Sequence, residues 1–395
     1  MREVTVVGAG PVGMLLAGEL ARRGVDVELL ERRPAVGDGT RAIGIHSPVL
    51  AALESSGLTD RLLAEAVRVR RGEARSRGRL LGTVHFDVLT ARFPFVATLP
   101  QSATEAVLGT AAPEPLRGAY VLAVIPRRDS VVVRAGLLGR PVESESRIVV
   151  VAGGGAARDL VYRPGAVPAR EYRDRYLMTD AAAHADAELA VIHLDPDGVL
   201  ESFPLPGGRR RFVAWDPPGA DVDEPRAGDD PEAHAVRAAT VAEARVQRLR
   251  EALARRGEGP AADAVSTATS FGVRRVVAPR LRHGRVFAIG DTAHEVSPIG
   301  GQGMNLGLLD AVTLAPLLAS WVRTGRAPDT GLLRWEARRV QSARRAAALA
   351  SVNTALGRAS GRGDALRRTA VRAMLTGPSA RLFARAYSMG FDVDA

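Results

Sequence analysis

The hydrophobic positions near the start of the chain predict a strand, a turn, a helix and a second strand. Residues 4–7 form a continuous apolar run, typical of a buried strand, and apolar residues recur at helical spacing over residues 12–23. Gly24 ends the predicted helix, and residues 25–30 predict a second strand that leads into Glu31. This order is that of a βαβ unit, which places two parallel strands beside each other in one sheet.

Strand patterns fill the middle of the chain, and helical spacing dominates its last part. Alternating or continuous apolar positions predict strands within residues 79–99, 120–124, 130–133, 148–151, 190–194, 199–204, 211–215 and 271–277. Ser102, with Glu105 three residues later, predicts a capped helix start. Residues 233–256 and most of the chain after Leu306 are helical in pattern. The predicted fold class is therefore mixed α/β (α+β).

A glycine-rich turn joins the first strand to the first helix. Gly8, Gly10 and Gly13 give the spacing G-x-G-x-x-G. In a dinucleotide site the first glycine permits a tight turn, the second lets the backbone approach a pyrophosphate, and the third lets the helix pack on the strand. Glu31 ends the second strand, where a carboxylate can bind ribose hydroxyls. We predict dinucleotide binding; Arg32 and Arg33 indicate either a 2′-phosphate contact or a solvated strand end.

A second glycine cluster lies between the apolar run 286–289 and the helical pattern that starts near Leu306. Its sequence, residues 290–305, is GDTAHEVSPIGGQGMN. Glycine allows backbone to come closer to a ligand than any side chain would permit. So flexible a connection between a strand and a helix is typical of a ligand-binding turn.

Composition limits the classes of function. All 54 basic residues are arginine, against 44 acidic residues, which gives a net charge of +10. This charge fits either an anionic partner or a general use of arginine in place of lysine, and the arginines are spread along the chain, so we predict no nucleic-acid interface. The absence of cysteine excludes disulfides and thiolate catalysis, and the seven histidines show no metal-ligand spacing.

The apolar N-terminal stretch can be mistaken for a targeting segment. Residues 4–18 resemble the core of a signal peptide, but glycines and a proline interrupt them, and Glu19 follows directly. The stretch is also too short to span a bilayer. We expect a soluble, cytoplasmic protein without a membrane span, as a monomer or a homodimer.

Together, three stretches resemble the single-component FAD-dependent aromatic hydroxylases, the p-hydroxybenzoate hydroxylase-like flavoprotein monooxygenases. They are residues 8–31, the cluster at 290–305, and Arg41 together with Gln101 and Glu105. The resemblance covers residues 1–345. It implies a Rossmann-like FAD-binding domain (residues 1–71, 100–180 and 271–335), an inserted β-sheet substrate domain (72–99 and 181–270), and C-terminal helices (336–395).

The resemblance also implies how FAD would be held. Glu31 would bind the adenosine ribose, Arg41 the pyrophosphate, and Gln101 the ribityl chain. Asp291 would bind ribityl or ribose hydroxyls, and residues 300–305 would open a helix towards the pyrimidine edge of the flavin, where negative charge develops on reduction. The Pro298 carbonyl would line the substrate side of the ring. We predict cofactor contacts at Gly8, Gly10, Pro11, Val12, Gly13, Glu31, Arg32, Arg41, Gln101, Gly290, Asp291, Pro298, Gly300, Gly301, Gly303, Met304 and Asn305.

The activity implied is monooxygenation of an aromatic or polyketide-like small molecule in secondary metabolism. Non-covalent FAD, with NAD(P)H as reductant and O2, would hydroxylate or epoxidise the substrate through a flavin C4a-hydroperoxide. No catalytic base is assigned: His46, His85 and His193 are interpreted as structural, and His294 as fixing its loop. Aromatic residues of the β-rich part would line an apolar pocket or fill the core: Phe86, Phe93, Phe95, Phe203, Phe212 and Trp215.

One segment departs from the family pattern. The family carries an Asp-Gly pair followed by Arg-Ser in a segment that the resemblance assigns to FAD and NADPH binding, and Gly154 stands here in place of the Asp. Loss of such a hydrogen-bonded carboxylate costs about 1–3 kcal/mol. Two alternatives therefore stay open: a non-redox cyclisation with FAD kept structurally, and a non-catalytic flavin-binding protein. A reductase of isoprenoid double bonds is a close cousin, whereas a halogenase is excluded because the chain has no lysine.

Overall fold

The computed structural model describes residues 1–35, 42–183, 186, 188–220, 230–297, 301–358, 363–389 and 392. The strands are β1 Arg2–Val7, β2 Val27–Glu31, β3 Gly44–Ile45, β4 Val67–Val69, β5 Arg71–Ser76, β6 Arg79–His85, β7 Val96–Thr98, β8 Leu116–Arg117, β9 Ala119–Pro126, β10 Val131–Leu137, β11 Arg140–Val151, β12 Ala169–Ala182, β13 Leu189–Asp195, β14 Gly198–Leu205, β15 Arg209–Asp216, β16 Thr269–Val277, β17 Arg282–His283, β18 Val286–Ala288 and β19 His294–Glu295.

The helices are α1 Pro11–Ala21, α2 Ser47–Leu53, α3 Leu58–Ala64, α4 Gln101–Gly109, α5 Pro231–Ala254, α6 Gly259–Asp263, α7 Gly303–Thr324, α8 Asp329–Gly357, α9 Asp364–Met374 and α10 Gly377–Tyr387. Short 3-10 turns lie at Glu54–Ser56, Gly155–Leu160 and Gly290–Thr292. Helices and strands thus both make up large parts of the chain, and the predicted mixed α/β fold class is confirmed.

The first sheet has a parallel centre in the order β8-β2-β1-β11-β18, and β17 adds an antiparallel edge. Strands β9, β10 and β11 form an antiparallel meander on the same sheet. Helix α1 follows β1 and buries Leu15, Leu16 and Leu20 in the core that α7 also joins. The carboxyl ends of β1 and β11 therefore meet at the glycine turn before α1, as parallel strands place ligand sites.

The second sheet has the order β19-β16-β12-β15-β14-β13-β5-β6 and is antiparallel except where β13 pairs with β5. One face packs through Leu200 and Phe212 on helices α5 and α6. The opposite face carries Met178 and Val213 and packs on α9 and α10. A smaller sheet has three strands in the order β3-β7-β4. The second sheet is thus covered by helices on both faces.

Strands β12, β16 and β19 belong to the second sheet, although most of their residues fall in segments that the prediction assigned to the FAD-binding domain. Strand β12, which the hydrophobic pattern did not indicate, pairs with β15 and β16, and β16 pairs with β19. The prediction placed residues 100–180 and 271–335 with the FAD-binding part. The first half of β12 is charged and largely exposed, so alternation is hidden there, while its second half is buried between its two neighbours.

Helix α7 is apolar enough by length and composition to span a membrane, yet it lies in the core. Of its most apolar 18-residue window, 78% is buried inside the protein. Leu308, Leu309 and Leu314 are fully buried. Its hydrophobicity is therefore accounted for by packing against α1, α2 and α8.

Candidate functional site

A cavity of about 650 Å³ lies between the two large sheets. One end is lined by the two glycine clusters: Gly8, Gly10, Pro11, Val12, Gly290, Asp291, Gly301, Gly303 and Met304. The other end is lined by the second sheet and by the C-terminal helices. The fold therefore brings both glycine-rich stretches, far apart in sequence, to one continuous space.

The turn before α1 is close-packed on one side and open on the other. Gly8 has φ +107°, and a Cβ there would lie 2.6 Å from the Ala152 oxygen; a Cβ on Gly13 would overlap the Gly8 carbonyl oxygen. A Cβ on Gly10, by contrast, would meet nothing within 4 Å. No side chain caps the α1 N-terminus, and Pro11 and Val12 line the cavity. The first-turn amides are therefore available to an anionic ligand.

Glu31 at the end of β2 fixes this turn. One carboxylate oxygen accepts the Ala9 amide at 2.8 Å, and the other accepts the backbone and side chain of Arg33 at 2.9 and 3.0 Å. Burial alone would raise the pKa of the Glu31 carboxyl, but these hydrogen bonds outweigh it and hold the pKa below its usual value. Glu31 and the exposed Arg32 both line the cavity. The Arg33 backbone and side chain thus both donate hydrogen bonds to Glu31.

The second glycine cluster is held by a buried hub on α7. Asp310 is fully buried and accepts hydrogen bonds from the Gly290 amide at 3.0 Å and from the Arg339 Nε at 2.8 Å. The His294 Nε2 lies 2.6 Å from the same Asp310 oxygen that accepts the Gly290 amide. The interpretation of His294 as fixing its loop is therefore supported, and Asp291 is left exposed at the cavity.

The N-terminal turn of α7 connects three parts of the site. The Asn305 side chain donates to the Gly44 and Gly301 carbonyls at 2.8 and 3.0 Å and accepts the His46 amide at 2.8 Å. Gln302 donates to the carbonyls of Ala386 and Tyr387 in α10. Within the residues that the structure describes, no side chain caps α7. Gly301 has φ +67°, so its backbone takes a conformation that favours glycine.

The predicted cofactor residues do not all line the cavity. Gly13 and Asn305 lie behind it, where they fix the turn and the loop respectively. Gln101 lines the cavity; its amide donates to Glu105 at 2.8 Å and accepts the Ala42 amide at 3.3 Å. Arg41, Pro298 and Gly300 lie outside the described residues.

The predicted cap of α4 is wrong. The helix begins at Gln101 after Pro100, and no side chain caps it. Glu105 accepts the Gln101 side chain instead of a backbone amide. Glu105, the second residue of the predicted helix signal, therefore orients a glutamine at the cavity.

The segment with the altered motif is tied to the second glycine cluster. The Gly154 carbonyl accepts the Thr292 hydroxyl at 3.0 Å, and Arg158 donates to the carbonyls of Asp291 and Thr292. Gly154 has φ +74° and ψ −173°. An aspartate at this position would be strained in the same backbone, since L side chains rarely adopt that conformation. The backbone at residue 154 therefore favours the glycine found here over the aspartate of the family pattern.

The other end of the cavity is apolar. Of the aromatic candidates, Phe86 and Phe203 line it, whereas Phe93, Phe95, Phe212 and Trp215 do not. Phe212 points to the opposite face of its sheet, towards α5. Residues of the C-terminal helices complete this wall, and no sequence pattern predicted them there: Asn353, Leu356, Val371, Met374, Leu375, Phe383 and Tyr387.

His46 and Glu201 are among the polar residues at the cavity that the sequence analysis did not assign to a binding site. His46 was interpreted as structural, but it lines the cavity, and burial lowers its pKa to about 4, so the ring is neutral at neutral pH. Glu201 on β14 is 4% exposed and also lines the cavity. The signal that could have found Glu201 is its strand register, because it lies two residues before Phe203 and two residues after Val199.

Comparison with known proteins identifies the family. A family model described as an FAD binding domain matches residues 1–120 and 182–350. The 6-methylpretetramide 4-monooxygenase of Streptomyces rimosus is 33% identical over 380 residues, which covers 90% of this chain and 63% of that enzyme. The chain spans 60% to 66% of the length of the first curated relatives it matches.

Solved structures share the fold over nearly the whole chain. The p-nitrophenol 4-monooxygenase of Pseudomonas putida DLL-E4 gives a TM-score of 0.82 at 22% identity and covers 100% of this chain and 98% of its own. The Diels-Alderase of pyrroindomycin biosynthesis gives a TM-score of 0.74 at 22% identity, with 98% and 80% covered. At this identity, the two likenesses establish the fold alone.

The chain belongs to the FAD binding domain family, and its resemblance to the FAD-dependent aromatic hydroxylases is confirmed. The residues present fit FAD on structural grounds. Gly10 leaves open the space that a Cβ would take, two uncapped helix N-termini flank the cavity, and Glu31 offers a carboxylate beside them. Such a set suits a ligand with phosphates, hydroxyls and a ring edge on which negative charge develops.

Proposed function

We propose that the chain is an FAD-dependent monooxygenase that hydroxylates or epoxidises an aromatic or polyketide-like small molecule, with NAD(P)H as reductant. One observation carries the proposal: a single cavity joins two glycine clusters suited to FAD to an apolar space walled by the second sheet and the last helices. The monooxygenase relatives agree with it. The first sheet would then serve the cofactor, and the second sheet the substrate.

The residues at the cofactor end would each hold one part of FAD. The first turn of α1 would bind the pyrophosphate, Glu31 the adenosine ribose, and Gln101 the ribityl chain. Asp291 would bind ribityl or ribose hydroxyls, and residues 301–304 would face the flavin ring. The bound cofactor supplies the redox and oxygen-transfer chemistry, and the protein supplies orientation and a dry pocket.

The substrate end is built to exclude water from the reacting ring. Phe86, Phe203, Phe271, Leu375 and Phe383 surround it with apolar surface. An aromatic ring placed here is held by packing, which fixes its position relative to the flavin end. The neutral His46 lies where the two ends meet, near Gly301. Its unprotonated ring adds no charge to this boundary.

The proposal is tested by loading and turnover. The purified protein should bind FAD with the visible spectrum of an oxidised flavoprotein. It should then consume NAD(P)H and O2 faster when a phenol or polyketide is added, with an oxygenated product found by mass spectrometry. A protein that takes up no FAD on reconstitution contradicts the cofactor assignment. A loaded protein that oxidises NAD(P)H but oxygenates no compound of the panel contradicts the activity.

A second candidate is a cyclisation in which FAD has a structural role. Gly154 favours it, because the altered segment is the one that the family resemblance assigns to NADPH binding. The fold match to a Diels-Alderase is compatible with this reading. The candidate predicts FAD binding without reduction of the flavin by NAD(P)H in the presence of any substrate. Rapid reduction of bound FAD by NADPH would rule it out.

A further inference from the structure

Glu201 lies in the middle of the apolar wall of the cavity. It alternates with Val199 and Phe203 on β14, and all three line the cavity. In the sheet register it is opposite Ile192 on β13 and Val213 on β15, which line the cavity too. Its four nearest neighbours on this face are therefore apolar, and its carboxyl is a single acidic group among them.

Within the described residues, the Glu201 side chain has no hydrogen-bond or ion-pair partner, although it is only 4% exposed. Burial raises its pKa to about 8, and no neighbouring charge contributes. Arg211 lines the same cavity but is bound by both oxygens of Asp180, at 2.6 and 2.7 Å. A buried carboxyl without a partner is costly, so its presence indicates a ligand that satisfies it.

The groups that face Glu201 narrow the chemistry of that ligand. Tyr387 on α10 and Tyr176 on β12 are the titratable groups that its charge affects, and burial raises the pKa of both phenols above their usual value. Neither is a base. The four sheet neighbours of Glu201 are apolar, which suits a ring system. A neutral aromatic molecule with its own hydroxyl donor satisfies the carboxyl and fills the space around it.

We propose that Glu201 accepts a hydrogen bond from a ring hydroxyl of the substrate and so selects hydroxylated aromatic molecules over analogues without that donor. This inference rests on the proposed function, because it takes the apolar end as the substrate site. The selectivity arises from the acceptor itself: an analogue without the hydroxyl leaves a buried carboxyl unpaired.

The test uses FAD-loaded full-length protein and a matched pair of probes, 2-naphthol and 2-methoxynaphthalene. Their dissociation constants are measured from the change in flavin absorbance on binding. Above about pH 8, where Glu201 is ionised and cannot donate to the ether oxygen, the wild-type protein should bind 2-naphthol at least about tenfold more tightly than the methyl ether. Glu201→Leu should bind the two probes equally, through loss of affinity for 2-naphthol. Glu143→Leu, an exposed site on β11 away from the cavity, serves as the control and should keep the preference.

The pH dependence separates hydrogen bonding from simple packing. The carboxylate form of Glu201 accepts a hydrogen bond from the hydroxyl more strongly than the acid form does. The wild-type preference for 2-naphthol should therefore increase as pH rises through about 8. Glu201→Gln keeps the shape but does not ionise, so its preference should stay flat over the same range. This second variant also guards against a folding defect in the leucine variant.

Each outcome decides between the readings. Equal or undetectable affinity of the FAD-loaded wild-type protein for the two probes would overturn the role of Glu201, as would a preference that persists in Glu201→Leu. Neither result touches the proposed function, which fails instead if FAD does not bind or no compound is oxygenated. The two ideas can therefore fail separately.

Discussion

The glycines of the turn before α1 serve two different physical purposes, and substitution separates them. A Cβ on Gly13 would overlap the Gly8 carbonyl, whereas a Cβ on Gly10 would enter open space at the cavity. Gly13→Ala should therefore destabilise the protein without FAD by about 1–3 kcal/mol, the usual cost of overpacking. Gly10→Ala should leave that stability nearly unchanged but weaken FAD binding about tenfold or more.

Both effects are measured on the same two variants. Chemical unfolding without FAD gives the free energy of unfolding, and titration of FAD followed by flavin fluorescence gives the affinity. Equal loss of stability in the two variants would show that Gly10 is also a packing position. Unchanged FAD affinity in Gly10→Ala would show that the pyrophosphate of FAD does not lie against this residue.

Among single residues, the sequence predicts those whose role depends only on a few neighbours in the chain. The spacing of Gly8, Gly10 and Gly13 and the place of Glu31 after a strand follow from a few neighbouring residues, and the structure brings them together. Glu201 was missed because one acid in an apolar strand carries no spacing signal of its own. Only the sheet register shows that it faces a cavity rather than solvent.

At the scale of elements, Asp310 joins α7, α8 and the loop after β18. It accepts from Gly290 and Arg339 and pairs with His294, with no exposure to water. Asp310→Asn removes the carboxylate 2.8 Å from the buried Arg339 and leaves that arginine only a 3.8 Å ion pair with Asp392, so it should lower the free energy of unfolding by about 3 kcal/mol or more. Asp329→Asn at the start of α8, which breaks the ion pair of the exposed Asp329 with Arg282 of β17, should cost less than about 1 kcal/mol.

The contacts of Asp310 also predict how the free energy of unfolding depends on pH. Burial would raise the pKa of Asp310, but His294 and Arg339 outweigh burial and hold it below its usual value of 3.8. The unfolded chain therefore binds the proton more readily, so this stabilisation is complete above that value and is lost as pH falls below it. The unfolding free energy of the wild type should fall more steeply than that of Asp310→Asn between about pH 5 and pH 3. Parallel curves would show that the hub does not set the acid response.

Elements were predictable where their own pattern was regular. Strands β1 and β2, helix α1 and helix α5 follow from apolar spacing within each segment. Strand β12 was not, because Glu171, Arg173 and Asp174 mask the alternation in its first half. The placement of β12 depends on its pairing with β15 and β16, from distant parts of the chain. The division into two sheets could therefore not be read from local pattern.

At the scale of the whole molecule, Gln302 connects the two ends of the cavity. It lies between Gly301 and Gly303 at the cofactor end and donates to Ala386 and Tyr387 of α10 at the substrate end. Binding at one end should therefore favour binding at the other. FAD affinity should increase about fivefold or more when 2-naphthol is present, and this increase should shrink in Gln302→Ala.

The measurement is an FAD titration with and without a saturating concentration of 2-naphthol. Gln247→Ala, which removes an exposed amide on α5, is the matched control and should keep the full increase. An increase of the same size in Gln302→Ala would show that the coupling passes through other contacts. No increase in the wild type would show that the two ends bind independently.

The wall supplied by the last two helices has a consequence for how this scaffold can change its chemistry. Val371, Leu375 and Phe383 line the apolar end of the cavity, which the proposed function assigns to the substrate, while the two glycine clusters come from earlier parts of the chain. Exchanging residues 363–389 for a segment of different shape would retune substrate choice without rebuilding the redox apparatus. The tail is therefore the natural place to begin when engineering this protein toward bulkier or smaller rings.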